Sequence, residues 1–171
     1  MYDDIVLLND KYFEKRGSIY TIFNIEDVPP NLKFVQDKIS KSFQGVIRGF
    51  HGDNKTWKLI TCIHGRIKLV TYDIFKDKKN TYILDGDDKT NKSVLVPPGI
   101  LNGHQCLSSN CIFYYKWSEF YSGPDSQWSV HYNDPEIDPA WCTDYHQIVS
   151  DRDMTSQSLQ ELKRKCSKPK T

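Results

Sequence analysis

Residues 18–120 form a succession of short β-branched and aromatic runs, each closed by glycine, proline or aspartate. Runs at 19–23, 46–51, 57–63, 66–74, 81–84, 93–96 and 111–120 have strand length and strand composition. The last alternates cleanly, with Phe113, Tyr115 and Trp117 on one face and Tyr114, Lys116 and Ser118 on the other. His64-Gly65, between two of the runs, reads as a two-residue hairpin turn. Asp85-Gly86-Asp87-Asp88 and Pro97-Pro98-Gly99 stop two others. Many short strands at this spacing predict an all-β sandwich or barrel.

The C-terminal part differs. Residues 128–141 are aromatic, acidic and proline-bearing, and read as loops. Leu159 and Leu162 give 155–165 a helical spacing, and the basic residues of 163–170 read as a solvated helix end. We therefore expect one domain, 1–171, long enough for a real core. A net charge of +1 excludes bulk attraction to nucleic acid or membrane. No apolar run approaches the ~20 residues of a membrane span. The first residues carry Asp3 and Asp4 rather than an apolar signal segment. The five cysteines are odd in number and lack metal spacing, which fits free thiols and a cytoplasmic protein.

Chemistry concentrates at Arg48, Gly49 and His51. Strict alternation would send Arg48 and His51 to opposite faces of a strand. A bulge at Gly49 would bring both to one side, an anion-binding guanidinium beside a proton-transferring imidazole. His64 sits in a predicted turn, and His131 and His146 in loops without partner spacing. A metal-binding cupin places two histidines two residues apart with a carboxylate soon after. Here Asp53 occupies the second position and no glutamate lies between His51 and Lys58, so no metal is expected. Glycine loops of the Walker or dinucleotide type are absent.

Several pieces in order resemble the dTDP-4-dehydrorhamnose 3,5-epimerase family of cupin-fold nucleotide-sugar epimerases. They are Lys15-Arg16-Gly17, Phe34-Val35-Gln36-Asp37 with Ser40 and Ser42, Gly45-Val46-Ile47-Arg48-Gly49-Phe50-His51, and Lys58-Leu59 with Gly65. Val96-Pro97-Pro98-Gly99, Phe113-Tyr114-Tyr115-Lys116, Tyr121, Asn133-Asp134-Pro135, and Ser150 with Asp153 follow. The resemblance implies a jelly-roll β-sandwich barrel with a short C-terminal helix, acting as a cofactor-independent homodimer. It implies proton removal beside a 4-keto group, enolate formation and reprotonation from the opposite face. By resemblance His51 is the base, Asp153 its carboxylate partner, Tyr115 the acid and Lys58 the cation at the enolate oxygen. Arg16 and Arg48 match diphosphate contacts, Gln36 a nucleotide contact and Tyr121 an aromatic near the sugar.

The departures are as informative. Where the family has an Ala-His-Gly-Phe-like segment, this chain has Leu101-Asn102-Gly103-His104. Asn102 therefore replaces a second histidine, and Leu69 replaces the carboxylate that supports it. Asn102 can donate a hydrogen bond to an enolate oxygen but cannot shuttle a proton. His104, two residues on, is expected to enter the site only through a local bulge. A family Asn-His pair is Lys38-Ile39 here, and a family glutamate is Thr21. These changes suggest a GDP-linked 4-keto heptose ahead of a dTDP-linked deoxyhexose, as in capsule synthesis. A catalytically silent relative that binds a nucleotide sugar or partner enzyme, and a 3,4-ketoisomerase, are the rival readings.

Overall fold

The structure is a computed structural model, and residues 2–167 are described. The strands are β1 (Ile5–Asp10), β2 (Tyr12–Glu14), β3 (Gly17–Ile19), β4 (Gln36–Phe43), β5 (Ile47–Gly52) and β6 (Lys58–His64). They continue as β7 (Arg66–Asp73), β8 (Lys78–Asp85), β9 (Thr90–Val96), β10 (Ile100–Cys106), β11 (Asn110–Trp117) and β12 (Trp128–Ser129). Two short helices follow, α1 (Asp151–Thr155) and α2 (Leu159–Ser167).

Ten strands form two five-stranded antiparallel sheets, ordered β1-β9-β6-β11-β4 and β12-β5-β10-β7-β8, while β2 and β3 pair as a separate hairpin. The result is a cupin-type jelly-roll sandwich. Its inner core joins Ile60, Val94 and Phe113 of the first sheet to Ile67, Leu69 and Cys106 of the second. The second sheet is also covered outside. Val70, Tyr72 and Leu101 pack there against Val130, Ile137, Trp141, Leu159 and Leu162 of the C-terminal segment. Cover on both faces explains why β7 is buried from Leu69 to Asp73 without alternation, Thr71 and Asp73 included. Leu159 and Leu162 anchor α2 with about 2 kcal/mol of apolar burial each.

Four expectations are corrected. His64-Gly65 does not close a hairpin, because β6 and β7 lie in different sheets. It is a corner: Gly65 has φ +72°, and a Cβ there would meet Asn110 O at 2.2 Å. Of 19–23, only Ile19 is in a strand; Phe23 instead packs edge-on against Phe34 over the outer face of the first sheet. The expected helix is two. Ser150 caps α1 by accepting from the Asp153 N–H, and Ser158 and Glu161 form a capping box for α2. Between them Gln157 bridges to Val130 and donates to Ser129 O, which interrupts the helical ladder. Lys163 is not free in solvent, since it pairs with Asp77 and Glu136; residues 168–170 of the basic run lie outside the described residues.

Candidate active site

The expected irregularity sits at Gly49. Between β5 and β10 the register passes from Asn102↔His51 to His104↔Arg48, so three steps along β5 match two along β10. Gly49 has φ +129°, a conformation that favours glycine. A Cβ there would meet Gly103 Cα at 2.5 Å and Asn102 O at 2.9 Å. The extra residue turns both Arg48 and His51 toward one cavity of about 280 Å³ between the sheets.

Asp153 ties this bend to the imidazole. Its Oδ2 accepts the Gly49 N–H at 3.2 Å, and its Oδ1 lies 2.7 Å from His51 Nε2. It is the third residue of α1 rather than its cap, so its carboxylate is free for both contacts. Burial opposes the ionised form, but hydrogen bonds from His51, Gly49 and Ser150 outweigh it and hold the carboxyl below its ordinary range. Among the described residues Asp153 is the one acidic side chain lining the cavity.

Lys58 lies on the first sheet, fully enclosed. Its Nζ donates to Asn102 Oδ1 at 2.9 Å and to His51 O at 3.4 Å, and stands 4.9 Å from the Trp117 ring centre. Burial pushes its pKa down to about 8, against the pull of Asp53. The inward residues of β11 form an aromatic ladder, Phe113 to Tyr115 to Trp117, continued edge-on by Tyr121. Burial raises the Tyr115 phenol, so it stays protonated at neutral pH.

Other candidates have different positions. Arg48 lines the cavity, and its Nε donates to Ser42 Oγ at 3.1 Å. Tyr121 lines it too. Gln36 does not; its Oε1 accepts the Tyr121 N–H at 3.0 Å and so fixes the chain carrying that ring. Arg16 is well exposed at the β2–β3 turn, paired with Glu14 and away from the cavity. Ile39 and Thr21 are exposed.

The structure adds three residues. Lys38 lines the cavity with its Nζ 3.7 Å from the Tyr121 ring centre. Its position is one of the departures from the family pattern, and its inward facing follows from Ser40 and Ser42 two and four residues on. Arg152 also lines it, held by Ser129 Oγ at 2.6 Å. His104 reaches the cavity beside the register irregularity expected for it, which falls on the β5 edge between Asn102 and His104, whereas 100–106 pair with β7 without interruption. Asn102 and His104 are two apart, so they share the inward face.

The cavity is polar, cation-rich and walled by aromatics at the heart of a jelly-roll. These features define a cupin-type barrel built to hold an anionic, ring-shaped ligand beside an imidazole–carboxylate pair. Residues 2–161 match the family dTDP-4-dehydrorhamnose 3,5-epimerase, and the chain belongs to it. It is a nucleotide-sugar epimerase. The enzyme of that name from Salmonella typhimurium is 31% identical over 149 residues, covering 81% of each protein. The Bacillus anthracis enzyme, solved with TDP and pyrophosphate bound, is 30% identical with a TM-score of 0.81, covering 91% of this chain and 94% of that one. A Legionella pneumophila dTDP-6-deoxy-D-glucose-3,5-epimerase in complex with dTDP-4-keto-L-rhamnose is 27% identical, with a TM-score of 0.82, covering 91% and 88%.

Proposed function

We propose that this protein inverts C3, C5 or both of a nucleotide-diphosphate-linked 4-keto sugar. The observation that carries the reading is the meeting of the His51–Asp153 pair, Lys58–Asn102 and Tyr115 in one cavity. With Asp153 holding Nε2–H, the His51 Nδ1 lone pair removes the proton beside the carbonyl. Charge then develops on the C4 oxygen. Lys58 occupies the Asn102 side-chain carbonyl, which leaves the Asn102 NH₂ and the ammonium itself to meet that oxygen. Tyr115, kept protonated by burial, returns a proton from the other face.

Arg48, Lys38 and Arg152 supply the positive charge for the diphosphate, Arg48 with a forked guanidinium suited to phosphate oxygens. Tyr121 flanks the sugar. The nucleotide is dTDP by likeness to the relatives solved with dTDP-type ligands. A GDP-linked sugar is a second reading, favoured by Lys38, the one nucleotide-side departure that lines the cavity. The exposed Tyr12, Phe13 and Ile19 of the β2–β3 hairpin, with Arg16 at its turn, fit a contact with a second copy in a homodimer.

The test is substrate-dependent deuterium uptake from heavy water, read at C3 and C5 by NMR for dTDP- and GDP-linked 4-keto sugars. Uptake with the carbonyl still at C4 is the expected outcome. A product whose carbonyl has moved to C3 indicates ketoisomerisation, and the absence of uptake with every sugar removes the proposal.

A further inference from the structure

Five buried side-chain atoms among the described residues have no hydrogen-bond partner: Ser40 Oγ, Asp73 Oδ2, His104 Nε2, Trp117 Nε1 and Gln127 Nε2. All but that of Asp73 belong to residues lining the active-site cavity. Leaving a buried polar group unpaired costs about 1–3 kcal/mol, so this concentration marks where a polar ligand completes the structure. Two of the four belong to residues that each neighbour Phe113. Ser40 pairs in register with Phe113 across β4 and β11, and the His104 ring stacks on Phe113 at 4.0 Å and 8°.

His104 is 3% exposed, whereas Asn102 on the same face is half-buried. The imidazole is therefore more enclosed than the group proposed to meet the C4 oxygen. Its neighbour in register on β7 is Leu69, which is apolar and fully buried. Among the described residues no carboxylate is hydrogen-bonded to it, and burial, with Arg48 and His51 close by, drives its pKa down to about 3 against the pull of Asp153. At this position the ring is a neutral hydrogen-bonding group and not a second acid or base. The Legionella relative is named for a 6-deoxy sugar, whose C5 carries a methyl group. An unpaired imidazole is a poor neighbour for a methyl and a good one for a hydroxyl.

We propose that His104, with Ser40, forms a subsite for a hydroxyl on the exocyclic carbon attached to C5, so that this enzyme takes sugars that keep that hydroxyl. The proposal rests on the nucleotide-sugar reading of the cavity and deepens it to a sugar class. The hydroxyl donates to His104 Nε2 or accepts from it according to tautomer, and Ser40 Oγ takes the complementary role.

The experiment uses the full-length protein and two matched ligand pairs that differ only in this hydroxyl. They are dTDP-glucose against dTDP-6-deoxyglucose, and GDP-mannose against GDP-rhamnose, titrated by calorimetry. In whichever nucleotide series binds, the hydroxylated sugar should bind about tenfold tighter, the loss expected from one unmade buried hydrogen bond. His104→Phe should abolish or reverse that ratio. His104→Gln, which can place an amide near the Nε2 position, should recover part of it and guards against a folding defect in the phenylalanine variant. Equal binding within both pairs, or a preference that survives His104→Phe, overturns the proposal while leaving the nucleotide-sugar reading intact. Failure of all four ligands to bind overturns that reading and the subsite with it.

Discussion

Strands β5 and β11 face the same cavity from opposite sheets and deliver their side chains by opposite means. β11 pairs residue for residue with β4 over eight positions, and its period of two sends Phe113, Tyr115 and Trp117 inward as a ladder. β5 breaks its period at Gly49 and sends Arg48 and His51, three apart, to one side. A regular strand gives an evenly spaced wall, suited to stacking and to a phenol held at fixed depth. A bulge places two different chemical groups next to each other, at the cost of one residue that tolerates almost no substitution.

Changes that separate the two strands rank by size. His51→Asn removes the base and should lower the deuterium-exchange rate by about 10³-fold, within the usual range for a general base. Exchange near the wild-type rate would remove His51 from the mechanism. Gly49→Ala puts a Cβ into Gly103 and Asn102 O at a positive φ, and should cost about 3 kcal/mol. Urea denaturation measures this, and a loss below about 1 kcal/mol would mean that the bulge relaxes easily. Tyr115→Phe on the regular strand should leave urea stability nearly unchanged and slow turnover about 10²-fold. Exchange lost at one carbon alone would locate the acid step. The smallest effect is in pH. Lys58 has its pKa lowered to about 8, so the ammonium is lost as pH rises through that value, earlier than for an ordinary lysine. Turnover should fall on the alkaline side with a midpoint near about 8, and Lys58→Met should erase that limb at a lower overall rate.

The same contrast explains how much of the molecule is legible in its sequence. β11 alternates aromatic and polar residues, so its inward face is plain from the residues alone. β5 is legible because glycine between arginine and histidine signals a bulge. β4 reads inverted: Gln36, Lys38, Ser40 and Ser42 point inward, while Ile39 and Phe43 lie outside, 65% and 69% exposed. A strand lining a polar cavity reverses the usual pattern, and this hides both the element and the facing of Lys38. The corner at Gly65 is not legible, because sequence shows that a chain turns, not whether the next strand joins the same sheet. His104 is legible from its distance of two to Asn102, but alignment to the missing family histidine draws attention one step short of it. The roles of the catalytic residues come from resemblance; periodicity alone gives their strands and none of their chemistry.

Asp153 has a consequence for how such a chain can change over generations. One carboxylate both fixes the Gly49 bend and orients His51, although 104 and 102 residues separate it from them. Substitutions at 49 and 153 should therefore be strongly non-additive, since the first loss already spoils what the second would remove. The pair is inherited as one trait. The barrel and the segment that closes over it cannot drift apart, and a lineage that alters either end must repair both or lose the reaction.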